Sequence, residues 1–157
     1  MNIGLADILS EAQIVNELRA KNRWEAIDEL VNNLIGTGKI NPEHRATITA
    51  VIRKRESSMS TGIGFGIGIP HASTDLVYGP TAALGRSKTG VNFDALDGQP
   101  VTLVILFLIP QGQFQKHLHT VAGIAKILHD ARFRQALNAA PDAATILQII
   151  RQQRLTA

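Results

Sequence analysis

The sequence predicts an α/β fold: a three-layer α/β/α sandwich, with a mixed central sheet flanked by helices. Three observations carry that prediction. Helical and strand-like segments alternate irregularly along the 157 residues, which suits a mixed sheet better than a strictly repeated strand–helix–strand plan. Val101 to Ile109, VTLVILFLI, is apolar at almost every position, so a strand there must be covered on both faces. Apolar residues also recur at helical spacing on either side of it, which supplies the covers. The length suits one domain, expected to span residues 1–157, with enough material for a core.

Asn22-Arg23-Trp24-Glu25 reads as a helix start, with Asn22 as N-cap and Glu25 at the capping-box position. Trp24, Ile27, Leu30, Val31, Leu34 and Ile35 form its apolar stripe, and Gly36 and Gly38 end it. Asn41-Pro42-Glu43 starts a second helix that runs through Ile48, Val51 and Ile52 towards Glu56. Ile67 and Ile69 suit a short strand, and Thr81 to Lys88 a longer one. Val91-Asn92-Phe93-Asp94 and Asp97-Gly98-Gln99-Pro100 read as loop and turn. Pro110-Gln111-Gly112 breaks the strong strand. A third helix is expected from near Gln115, with Leu118, Val121, Ala122, Ile124, Ala125 and Leu128 buried. Two more are expected over 131–138 and 141–152.

The composition is that of an ordinary globular chain, 45% apolar and 18% charged, and excludes several functions. The net charge of +3 is too small to imply nucleic-acid binding, and the cationic residues are scattered. Arg53-Lys54-Arg55, followed at once by Glu56, reads as the cationic end of a helix. There is no cysteine, which excludes disulfides, thiol catalysis and thiolate-bound metals. The N-terminal MNIGLADILSEAQIV lacks the pattern of a signal peptide. No apolar run approaches the roughly 20 residues of a membrane span. A soluble, cytoplasmic protein is therefore expected, with no membrane insertion.

GIGFGIGIPHAS, residues 62–73, is the stretch with chemical content. It is not a nucleotide loop. The dinucleotide fingerprint fails at its third glycine in every register, and no Gly-Lys-Ser/Thr follows. Most of its glycines suit a bend and a strand that other backbone approaches closely. His71 is a separate matter. Pro70 fixes its own φ and biases its neighbour towards extended geometry, so His71 is expected at the end of a strand with little backbone freedom. That mount suits a reactive imidazole, and equally one that merely bonds a loop.

Of the other histidines, His44 reads as solvated in a first helical turn, and His129 suits a helix's last turn. His117 and His119 open the third helix just past the strongest strand, where sites form in open α/β folds. Residues two apart on a helix face different ways, so at most one of them points squarely at His71. A neutral imidazole has a free nucleophilic nitrogen. It can hold a phosphoryl group, with a second imidazole and a helix N-terminus stabilising the oxygens. A catalytic zinc usually takes three protein ligands, and no close His and carboxylate cluster supplies them. No metal or cofactor is therefore expected.

RESSMSTGIGFGIGIPH, VNFDALDGQPVTLVILFLIP and KHLHTVAGIAKIL, in that order, resemble the EIIA domains of the mannitol/fructose class of the bacterial phosphoenolpyruvate:sugar phosphotransferase system. The nitrogen-regulatory branch looks closest. The resemblance covers nearly the whole chain. It implies a mannitol-type EIIA sandwich and a relay of phosphoryl groups from the phosphocarrier HPr, or its nitrogen-branch counterpart, to an EIIB domain or a regulatory target. It implies His71 as phosphoryl acceptor, His117 rather than His119 as the supporting imidazole, and Arg55 as a phosphate clamp. A binding module switched by phosphorylation of His71, with no onward sugar transfer, is the alternative, and an end at Ala157 with no EIIB or EIIC segment suits such a regulator. Three residues depart from the family pattern. Phe65 stands where a polar residue is usual, Gly68 where alanine is common, and Ala72 where glycine follows the active histidine. The last is expected to restrict the phosphate loop. Asp94 and Asp97 match a family loop and read as turn-formers that bond nearby backbone.

Overall fold

In the computed structural model, which describes residues 4–156, helix α1 (Leu5–Ile8) and a 3-10 turn (Glu11–Gln13) lead into strand β1 (Ile14–Val15). Helix α2 (Arg23–Gly36), a 3-10 turn (Pro42–His44) and helix α3 (Arg45–Ser58) follow. Strands β2 (Gly62–Gly64), β3 (Ile67–Gly68), β4 (His71–Thr74), β5 (Thr81–Val91) and β6 (Val101–Pro110) come next. Helices α4 (Leu118–Leu128), α5 (Ala131–Ala139) and α6 (Ala143–Thr156) close the order.

The sheet runs β1-β5-β6-β3-β2, with β4 also on β6. It is mixed: β5 is antiparallel to β6, whereas β3 and β4 are parallel to it. β6 lies centrally and is buried along nearly its whole length. Its odd residues Leu103, Ile105, Phe107 and Ile109 join a core with Ile124 and Leu128 of α4, Phe133 and Leu137 of α5, and Ile146 of α6. Its even residues Val104, Leu106 and Leu108 join a second core with Ile27, Leu30 and Leu34 of α2 and Ile48 and Ile52 of α3. Period-two alternation thus feeds two cores from one apolar strand.

The helix starts depend on their polar caps. Asn22 Oδ1 accepts from Glu25 N at 2.9 Å, but the Glu25 carboxylate reaches one residue further back than a capping box requires and accepts from Lys21 N. Asn41 Oδ1 accepts from Glu43 N, and the proline opens a 3-10 turn before α3 proper. In α4 the expected stripe is narrower than the sequence suggested. Ile124 and Leu128 are buried, but Leu118 is 49% exposed and Ala122 faces solvent.

Arg86 is 1% exposed, the largest fully buried side chain. Its guanidinium donates to the carbonyls of Leu137 and Ala140, at the end of α5, and to the Asn16 carbonyl. The carbonyl end of a helix carries partial negative charge and partly neutralises it.

Candidate functional site

β3 and β4 are two halves of one strand. Ile67 and Gly68 pair with Leu103 and Val104, and His71 to Thr74 pair with Phe107 to Pro110 in the same register. Pro70, which has no N–H to give, interrupts the ladder between them. The Pro70 carbonyl still accepts from Phe107 N at 3.0 Å. His71 therefore opens a strand of its own and does not sit at a strand's end as expected. By alternation it follows Ile67 and Ile69 onto the face covered by α4, α5 and α6.

The ring of His71 is half-buried, and its Nδ1 lies 2.9 Å from the Ile69 carbonyl. A carbonyl only accepts, so Nδ1 carries a proton, and in the neutral ring the lone pair is on Nε2. Ala72 points the other way, into the core against α2 and α3. It does not narrow the ground in front of His71, contrary to the expectation from sequence. Gly68 has a similar explanation. A Cβ there would lie 2.8 Å from Phe93 Cε2, so the buried Phe93 ring fills the space of an alanine methyl.

His117 occupies the N-cap position of α4. The residue is 4% exposed, with Nε2 3.3 Å from Gln113 Oε1. His119, two residues on, is exposed. Burial, and secondly the Lys116 charge, push the His117 pKa below its ordinary 6.5. The unfolded chain thus takes up this proton at higher pH than the folded one. Its contribution to stability is complete above about 6.5 and is lost as pH falls through that value towards the folded pKa. His117→Gln is expected to flatten this part of the acid slope. Urea unfolding of both proteins at pH 7.5 and pH 5 measures it, and an unchanged slope would contradict the burial argument.

His71 lies on the face that α4 helps to cover, and His117 opens α4; among the described residues no hydrogen bond links the two rings. The Phe65 ring meets His129, the C-cap of α4, edge-on at 5.3 Å between centroids. Chain entering α4 leaves the end of β6, where Gln111 N donates to Thr74 O. From the Phe65–His129 contact, His117 is about 18 Å back along the helix at 1.5 Å per residue.

Arg55 approaches from the opposite layer, in the last turn of α3. Its Nη1 donates to the Met59 carbonyl at 3.1 Å, and neither imidazole is among its hydrogen-bond partners. Glu56, which sequence reasoning passed over, is 1% exposed. Its carboxylate accepts from Thr61 N at 2.8 Å and Thr61 Oγ1 at 2.6 Å, and pairs with Arg23 Nη1 at 3.2 Å. It fastens the start of the glycine segment to α2 and α3. The five-residue spacing from Glu56 to Thr61 was the available signal.

Phe65 and Gly66 form a two-residue hairpin with φ of 59° and 78°. Positive φ at both central residues defines the turn that favours Asn-Gly, which accounts for a polar residue being usual in place of Phe65. An aromatic there costs on the order of 1–2 kcal/mol. Offsetting contacts come from His129, from the Arg134 guanidinium 4.9 Å from the ring, and from Asp97 Oδ2, which accepts from Phe65 N at 3.2 Å. Asp97 Oδ1 also accepts from Gln99 N, so Asp97 is a turn-former as expected. Asp94 instead pairs with Arg23 at 3.7 Å and bonds no backbone group through its carboxylate.

Among the described residues no group of three or more His, Cys, Asp or Glu side chains is placed to hold a metal ion. No helix among them is long and apolar enough to cross a membrane.

Residues 7–153 match the family described as phosphoenolpyruvate-dependent sugar phosphotransferase system, EIIA 2. The chain is 37% identical over 148 residues to the fructose-specific EIIABC component of Bacillus subtilis, a match that covers 94% of this chain and 23% of that protein. It superposes on the nitrogen regulatory protein IIA-Ntr of Neisseria meningitidis with a TM-score of 0.84 and 27% identity, covering 93% of this chain and 98% of that one. The mannitol IIA of Escherichia coli, solved in complex with phosphorylated mannitol IIB, shares the fold, with a TM-score of 0.76 at 20% identity over 92% of this chain and 97% of that one.

Proposed function

The chain belongs to the EIIA 2 family of the phosphoenolpyruvate-dependent sugar phosphotransferase system, and on that footing we propose that His71 is the residue that carries the phosphoryl group. The observation that carries the reading is the bond from His71 Nδ1 to the Ile69 carbonyl, which leaves Nε2 unprotonated. In the step proposed, the Nε2 lone pair attacks phosphorus in the phosphohistidine of an HPr-like carrier. The new N–P bond forms as the carrier's N–P bond breaks, and the carrier's imidazole leaves with the electron pair. No hydroxyl is deprotonated, so no general base is needed, and catalysis is positioning and charge stabilisation. His117 supplies an N–H to the phosphoryl oxygens from the N-terminus of α4. Arg55 clamps them once its guanidinium leaves Met59. Onward transfer to an EIIB domain reverses these steps, a pairing supported by the mannitol complex. A relay between such partners supports a cytoplasmic location.

Incubation with phosphoenolpyruvate, enzyme I and an HPr-like phosphocarrier is expected to put acid-labile, alkali-stable phosphate on the protein. The absence of label with every phosphocarrier tried, HPr and nitrogen-branch alike, would overturn the reading. A second, regulatory reading is supported by the likeness to IIA-Ntr. There the phosphate on His71 alters a docking face by its charge and is not passed to a sugar. Label that chases onto an EIIB favours the relay. Stable label that changes capture of a target protein favours the switch.

A further inference from the structure

We infer that Gln113 is a positioning residue that fixes the proton of His117 on Nε2, ready for the phosphoryl group. This rests on the reading of His71 and His117 given above. Gln113 sits in the connection between β6 and α4 and is held at both ends of its backbone. Its N–H donates to the Pro110 carbonyl at 3.1 Å, and its carbonyl accepts from His117 N at 3.2 Å. Residues four apart in such a turn face each other. The Gln113 side chain thus meets the His117 ring, with Oε1 3.3 Å from Nε2. Among the described residues it is the only side chain to which that ring is bonded.

An amide oxygen accepts and does not donate. The bond therefore selects the His117 tautomer with hydrogen on Nε2 and a bare Nδ1. His71 is in the opposite state, with hydrogen on Nδ1 and a bare Nε2. One ring offers a lone pair to phosphorus, and the other offers a hydrogen to the oxygens that come with it. Burial, and secondly the Lys116 charge, favour the neutral ring of His117, and in that ring the tautomer decides whether it has anything to donate on that side. A neutral amide is also the right holder. Phosphoryl oxygens are charged and form stronger hydrogen bonds than an amide oxygen does. The Nε2–H therefore leaves Gln113 for the phosphate when it arrives and returns when it departs. A carboxylate in place of Gln113 holds the same proton too firmly and repels the incoming phosphate.

The test measures the unphosphorylated protein first. Nitrogen-15 NMR of the histidine rings is expected to show His117 mainly as the Nε2–H form in the wild type. Gln113→Ala should give a mixture of the two tautomers. Gln113→Glu should restore Nε2–H. The rate of phosphoryl transfer to His71 is then expected to fall about three- to tenfold in Gln113→Ala, the weight of one hydrogen bond, and further in Gln113→Glu despite its restored tautomer. A wild-type ring in the Nδ1–H form, a tautomer unmoved by Gln113→Ala, or full-speed transfer by Gln113→Glu each overturns the inference. The ring measurement needs no phosphoryl donor, so failure of His71 to label sinks the functional reading alone.

Discussion

His71→Asn is expected to carry no phosphate under conditions that label the wild-type protein to completion. The asparagine amide nitrogen stands close to the position of Nδ1 and can still donate to the Ile69 carbonyl, the one hydrogen bond of this ring. Nothing stands where Nε2 was, so the nucleophile is lost while the local geometry is kept. The strand does not depend on the imidazole. Its register is held by Ala72, Ser73 and Thr74 on Leu108, Ile109 and Pro110, and by Pro70 O on Phe107 N. Removal of the ring from a half-buried position therefore costs about 1 kcal/mol at most, and circular dichroism and melting temperature should stay near those of wild type. The measurement is intact-mass detection of the phosphorylated protein after incubation with phosphoenolpyruvate, enzyme I and phosphocarrier. Undiminished label on a folded His71→Asn would move the nucleophile elsewhere, with His117 and His119 the next imidazoles to examine.

How far the fold was legible depended on how local its causes are. β6 could be read because a strand buried on two faces must be apolar on both, and eight of the nine positions from Val101 to Ile109 say so. α2 could be read because cap, stripe and terminating glycines agree. β4 could not. His-Ala-Ser-Thr has no alternation of polarity strong enough to mark a strand, and it exists because β6 offers it a ladder. β1, two residues long, likewise exists by pairing with Leu84 and Gly85. The side-chain direction of Ala72 follows from β4, so missing the strand produced the mistaken worry about the phosphate loop. The exposure of Leu118 was hidden for another reason. Helical spacing marks which residues share a face but not which face a neighbour covers: at the start of α4 His117 and Thr120 are buried while Leu118 is exposed. At the candidate site, the place of His117 at the start of α4, just past β6, was legible from the sequence. The protonation of each ring was not, because it depends on Ile69 and Gln113 oxygens that only the folded backbone places.

Glu56→Ala is expected to cost about 3–5 kcal/mol, because it removes one partner of a buried ion pair and leaves the other. Against a typical total of about 5–15 kcal/mol, that is a large share. Three groups lose their acceptor at once: Thr61 N, Thr61 Oγ1 and Arg23 Nη1. Arg23 is poorly placed to recover. Its Nε already has no partner, its Asp94 contact is 3.7 Å long and largely exposed, and the Trp24 ring 4.5 Å away gives only a cation–π contact. Glu56→Gln should lie between wild type and Glu56→Ala, since it keeps an oxygen for Thr61 but no charge for Arg23. Glu56→Leu combined with Arg23→Met should recover much of the loss, because removal of both charges spares the desolvation of either. Urea unfolding of wild type, Glu56→Leu, Arg23→Met and the double variant gives the coupling directly. The effect should also reach the site. The Thr61 carbonyl accepts from Ile69 N at 3.1 Å, and the Ile69 carbonyl in turn holds His71 Nδ1. A chain of hydrogen bonds therefore runs from the buried carboxylate through Thr61 and Ile69 to the imidazole. Loosening its first link is expected to slow labelling of His71 even where Glu56→Ala is kept folded by low temperature. A single variant within about 1 kcal/mol of wild type, labelling at full speed, would show that Glu56 neither anchors the glycine segment nor steadies the histidine beyond it.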